Sequence, residues 1–306
     1  MASLLQRVKS KMAIFAHRKA RGMLDGEYGS VFRGRSLDFD DLRAYVPGDE
    51  VRDIDWKASA RHGSPLIRRY VAVRRQTVLL VTDTGRNMAA EARSGETKKD
   101  IAVLALGVLG YLAHRHGDVV GLVCGDSSAT HALPAKNGEA HLERLLRQVE
   151  SRTRLDAARS RIQDQLGYVA RNVKGRHLLF VVADEVAADD ATGQLLRRLR
   201  AQHEVLWLTV RDAELVPSGQ AGTTSGAGAG SRPPTDSVDV ADSTLLAWLP
   251  AMSGGVEAAY AQATAERDAG RRAMLRAAGI TEGEAGASED VITGLFALLE
   301  RHRRAG

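Results

Sequence analysis

Cysteine is nearly absent: Cys124 is the single one in 306 residues. A disulfide framework and a cysteine-based zinc cluster are thereby excluded, and the composition suits a reducing compartment. Long hydrophobic runs are lacking too. The longest, Ile101 to Ala113, is closed by Lys98-Lys99-Asp100 on one side and His114-Arg115 on the other, well short of the roughly 20 residues that cross a bilayer. It predicts a buried helix and no transmembrane segment. The opening residues, Met1 to Lys9, carry neither a continuous apolar stretch nor a small-residue cleavage site, so the expected location is cytoplasmic. An excess of one charge is also missing. Forty-three Lys plus Arg against 38 Asp plus Glu leave +5, too little for a dedicated nucleic-acid binder, with weak nucleic-acid contact as a residual reading.

Nucleotide and hydrolase signatures fail as well. No Gly-x-x-x-x-Gly-Lys-Ser/Thr occurs and no strand leads into Gly-x-Gly-x-x-Gly, so the chain is not expected to hydrolyse ATP itself. Gly125-Asp126-Ser127 follows a strand, yet Gly-x-Ser-x-Gly is found nowhere and no Asp-x-x-His stands near the C-terminus.

What is present is an ordinary globular composition, 44% apolar and 26% charged, with length for two domains or one domain and a satellite. Leu4, Val8, Met12 and Phe15 put one apolar stripe on a helix within residues 1–21. That helix either docks on the protein body or, given Arg7, Lys9 and Lys11, lies on a membrane surface. Residues 22–75 are broken by Gly and Pro and rich in Arg and Asp, which predicts a small, partly β satellite with Leu66 to Val73 as a strand.

From 76 to 216 the periodicity alternates. Apolar strands at 78–81, 119–124, 177–183 and 205–210 are separated by helices at about 96–115, 139–150, 162–173 and 195–202. Such an order predicts an α/β fold, a Rossmann-type, mostly parallel sheet with helices on both faces. Residues 217–237 read as a Gly/Ser/Ala/Pro loop, and 238–306 as a C-terminal helical segment. Its last helix is expected to start at Ser288 and turn Ile292, Leu295, Phe296 and Leu299 inward.

Parallel sheets bind ligands at the carboxyl ends of their strands, and there the sequence places Asp83, Asp126, Asp184 and Asp212. Asp83-Thr84-Gly85-Arg86-Asn87 resembles the Asp-x-Ser-x-Ser loop that holds Mg²⁺ in von Willebrand A-type domains. A hard cation wants about six oxygens. The resemblance implies Asp83, Asn87 and Asp184 as a degenerate metal set, since Gly85 offers no side-chain oxygen and Asn87 only an amide carbonyl. Thr130 contributes only if its loop turns inward. Mg²⁺ is the one cofactor the resemblance implies; the alternative is that Asp83 caps loop amides at a vestigial site.

The densest polar stretch runs from Phe32-Arg33-Gly34-Arg35-Ser36 through Asp41-Leu42-Arg43-Ala44-Tyr45 and Pro47-Gly48-Asp49 to Arg52-Asp53-Ile54-Asp55-Trp56 and Ser59-Ala60-Arg61. Its Arg and Asp residues suit a bidentate network, Arg43, Arg52 and Arg61 against Asp49, Asp53 and Asp55, that either pins the satellite or presents a docking surface. Trp56 reads first as a core anchor and second as an interface hot spot. This ordered series resembles the domain of unknown function 58 family, and the von Willebrand A-like pattern from Val78 to Val210 agrees with it. The resemblance implies a non-enzymatic, chaperone-like adaptor partnered with a MoxR-type AAA+ ATPase, for which Arg43, Asp49, Arg52, Asp55, Trp56 and Arg61 are the candidate contact residues. A metal-dependent hydrolase at the sheet edge is the alternative function.

Overall fold

The computed structural model describes residues 3–16, 38–71, 75–213, 238–241, 244–245 and 254–305. The expected 217–237 loop and the Gly34-Arg35-Ser36 turn lie outside them. Helix α1 (Leu4–Ala16) buries Leu4, Leu5, Val8 and Met12. Glu143 holds its N-terminus, accepting from the amides of Leu4 and Leu5 at 3.1 and 2.7 Å and from the Ser3 hydroxyl at 2.9 Å. A carboxylate there satisfies orphan amides and complements the positive helix end. Leu4, Val8 and Met12 of the apolar stripe are therefore spent on the protein body.

Strands β1 (Asp38–Ala44) and β2 (Leu66–Val71) pair antiparallel, with helix α2 (Trp56–His62) in the connection between them. Ile54, Leu66 and Ile67 are the buried apolar residues described in this satellite, and Ile54 bridges Ile67 across the backbone.

The body follows as β3 (Thr77–Asp83), α3 (Lys98–Arg115), β4 (Val119–Gly125), β5 (Thr130–Lys136), α4 (Glu139–Arg152), α5 (Ile162–Asn172), β6 (Leu178–Ala183), α6 (Asp190–Gln202) and β7 (Glu204–Val210). A two-residue pair, β8 (Val238–Asp239) with β9 (Thr244–Leu245), precedes α7 (Gly254–Ala277), β10 (Thr281–Ala285) and α8 (Asp290–Ala305). The sheet order is β10-β7-β6-β3-β4-β5, parallel except for β5. The architecture is mixed α/β of Rossmann-like kind, as the alternation predicts.

The period of two along a strand divides the core. Val78 and Leu80 of β3 face one cluster with Ile101, Leu109, Leu145 and Leu295, whereas Leu79 and Val81 face another with Leu166, Leu199 and Trp207. Helices cover both faces of the sheet. No helix among the described residues is long and apolar enough to cross a membrane.

Two strands of the six-stranded sheet escaped the sequence pattern, for different reasons. Strand β5 contains Pro134 and is buried only in part, which fits an edge position. Strand β10 carries Glu282 and Glu284, charges that an isolated pattern assigns to a loop. In the fold Arg271 neutralises both, at 2.7 Å from Glu282 and 3.3 Å from Glu284. Helix α8 begins at Asp290, two residues after the expected cap; the Ser288 amide instead donates to Glu96 at 2.6 Å.

Candidate functional site

Asp83 and Asp184 follow the same direction along neighbouring strands, because β3 and β6 are parallel with Thr82 opposite Val182. The carboxylates closing the first and third apolar strands of the body therefore stand at one rim, joined by Asp212 just beyond β7. This is where the strand rule places ligands.

The rim chemistry differs from a cation cage. Asp83 is buried, and its two oxygens accept backbone N–H groups, Oδ1 from Gly85 at 2.6 Å and Oδ2 from Arg161. Burial pushes its carboxyl up to about 7, against the opposing pull of those amides. Asp184 Oδ1 accepts from the Lys98 ammonium at 2.9 Å and from the Glu185 amide at 2.8 Å. Asp212 accepts from the same ammonium. Thr130 Oγ1 is taken by the Gln165 amide at 3.2 Å.

Of the predicted metal set, Asn87 keeps a buried oxygen, its Oδ1, without a partner, as does Ser160 with its Oγ beside Gly85. The place of the first serine in the loop is filled from outside: a Cβ on Gly85 would meet the Cα and N of Ser160 at 2.5 Å. Among the described residues no three His, Cys, Asp or Glu side chains gather to hold a metal. Two neutral oxygens do not replace the hydration shell of an ion that dehydrates reluctantly, and with Asp83 holding loop amides and Asp184 holding the Lys98 ammonium the donor set here does not fit Mg²⁺. Asp83 in this structure is a clamp for loop amides.

Lys98 was not singled out from the sequence, where Lys98-Lys99-Asp100 reads only as the polar boundary of the apolar run. Its signal lay in Thr97, which caps α3 by accepting from the Asp100 amide. With that cap assigned, Lys98 becomes the first helical residue, a cation at the end whose dipole disfavours cations.

Beside the rim, Thr84, Gly125, Asp126, His131, Arg152 and Arg154 line an open cleft of about 370 Å³. Its walls are polar and carry both signs of charge, unlike the apolar pockets that enclose small substrates. Asp126 is engaged by its own turn, accepting from the Ser128 and Ala129 amides at 2.8 and 3.1 Å.

The satellite residues separate into two groups. Asp49 and Asp55 hold backbone. Asp49 accepts from Arg43 at 2.6 Å and from the Val46 amide at 3.0 Å, closing the turn at Gly48 (φ 113°), and both bonds keep its carboxyl below the usual range. Asp55 caps α2, accepting from the Lys57 and Ala58 amides at 3.1 and 3.0 Å. Among the described residues the expected network includes the ion pair of Arg43 with Asp49 and the helix cap made by Asp55. Arg52, Arg61 and Trp56 stand at the surface. Trp56 corrects its first reading as a core anchor: at 66% exposure it is no part of the core. It occupies the first position of α2, and the small cluster of Ile54, Leu66 and Ile67 leaves the indole outside.

The family described as "Protein of unknown function DUF58" matches residues 41–224, from the first satellite strand past the last strand of the body's alternating series. The chain belongs to the DUF58 family. Uncharacterized proteins of Mycobacterium tuberculosis and Mycobacterium bovis are 28% identical to it over 201 residues, 64% of this chain and 63% of theirs. The chain therefore covers less than two thirds of the length of these curated relatives. A solved structure, an aerotolerance-related membrane protein from Bacteroides fragilis carrying multiple mutations to serine, is similar over 74% of this chain and 99% of its own, with 12% identity and a TM-score of 0.44.

Proposed function

We propose that this DUF58 protein is a cytoplasmic, non-enzymatic adaptor whose satellite docks a MoxR-type AAA+ ATPase and presents client protein to it. The observation that carries this reading is the surface of the satellite. Trp56, Val51 and Val46 are 66%, 58% and 55% exposed. With Leu155, they are the exposed large hydrophobic residues among those described, so three of the four fall within residues 46–56. Apolar side chains rimmed by charge are a mark of protein interfaces, and Trp and Arg are the residue types that dominate binding energy. Arg43, Arg52, Lys57 and Arg61 of the same segment are exposed as well. The Asp49 turn and the Asp55 cap fix the backbone of this segment in advance, which lowers the ordering cost of binding.

ATP chemistry belongs to the partner in this mechanism, in keeping with a sequence that has no phosphate-binding loop. The experiment is the ATPase rate of a MoxR-type enzyme with and without the full chain, together with direct binding. Binding and a changed rate are expected, and Trp56→Ala should weaken binding by at least tenfold while leaving the melting temperature unchanged. No binding and no rate change would overturn the adaptor reading.

A further inference from the structure

We infer that the Lys98 ammonium is the resident cation of the strand-end rim, standing where a divalent ion would otherwise gather Asp184 and Asp212. The inference does not rest on the adaptor reading. Its first support is burial. The Lys98 side chain is 2% exposed, between Asp184 at 15% and Asp212 at 49%. A lysine is rarely buried so fully unless it is paired.

The second support is cost. Lys98 opens α3, whose following residues Ile101 to Ala113 are nearly all buried, so the helix dipole and the apolar surroundings both disfavour a positive charge there. Burial alone would drive the amine towards neutrality, and the carboxylates of Asp184 and Asp212 more than reverse it, leaving its pKa above the ordinary lysine value. The ammonium is thus held charged by the two acids it joins. It supplies to them what a metal supplies to carboxylates, one positive centre that draws strand ends together, here β6 and β7.

The third support is that the rim's other carboxylate is already committed and the place of the loop's first serine is already filled. Asp83 accepts two amides, and the backbone of Ser160 fills the place beside Gly85. A covalently attached cation needs neither the six-oxygen shell nor the open coordination position of Mg²⁺. The rim is consequently independent of divalent metal.

The test titrates the full-length wild type with Mn²⁺ by calorimetry and melts it in EDTA and in millimolar Mg²⁺. No saturable heat and one melting temperature are expected. A saturable Mn²⁺ site that disappears in Asp184→Asn would overturn the inference. Lys98→Ala exposes the replaced role: its melting temperature in EDTA should fall by roughly 10 °C and be recovered in part by Mn²⁺. An unchanged melting temperature, or a loss that no divalent ion recovers, would equally overturn it. Should Lys98→Ala fail to fold, the wild-type titration still decides, and Lys98→Arg, which keeps the charge, should remain folded and indifferent to EDTA.

Discussion

Gly85 lies flush against the backbone of Ser160, so that a Cβ built on it would stand 2.5 Å from the Ser160 Cα. Restoring the hydroxyl of an Asp-x-Ser-x-Ser loop by Gly85→Ser therefore costs stability and creates no metal site. Overpacking against backbone is worth about 1–3 kcal/mol. Chemical denaturation should show a loss of that size, with no gain in Mg²⁺ affinity by calorimetry.

Arg271 is 1% exposed by side chain and reaches Asp268, Glu282 and Glu284 at 2.6, 2.7 and 3.3 Å. Removing it by Arg271→Ala leaves three acids around an empty site at the β10 edge. Breaking a buried pair from one side costs about 3–5 kcal/mol. Urea denaturation should show that loss, and hydrogen exchange should increase first in β10 and the C-terminal half of α7.

Asp268 bonds Arg211 at 2.7 Å and Arg271 at 2.6 Å, and chiefly the Arg211 bond holds its carboxyl down to about 2. A folded pKa below the unfolded value of about 3.8 contributes stability that is complete above that value and disappears as pH falls through 2. Asp268→Asn should be less stable than wild type by roughly 2 kcal/mol at pH 7. The gap in melting temperature should close between about pH 4 and pH 2; a constant gap over that window would refute the assignment.

Cys124 has no exposed surface, and burial pushes its thiol up to about 12. A buried thiol without thiolate character is inert. Ellman's reagent at pH 8 should leave the native protein unlabelled and label one thiol after denaturation.

The legible parts of the fold were those where a single physical effect dominates. Val78 to Val81 and Leu178 to Ala183 are apolar without interruption because helices cover both faces of their sheet, and such runs reveal themselves in one dimension. Strand β10 did not, since its stability depends on Arg271 and Arg272 reaching Glu282 and Glu284 from the preceding helix. Of the site, the shared rim of Asp83 and Asp184 followed from strand direction alone. The pairing of Lys98 with Asp184 spans 86 residues, and no local pattern reports a contact of that range. The size of Trp56 argues for the interior, whereas Ile54, Leu66 and Ile67, the buried apolar residues described in the satellite, leave the indole exposed.

The grip of Glu143 on the first turn of α1 reaches back 138 to 140 residues along the chain. Together with β3 at the centre of the sheet, it moors the long excursion that carries Trp56 at both of its ends. Traction applied to that excursion is shared between two anchorages, the first helix and the central strand.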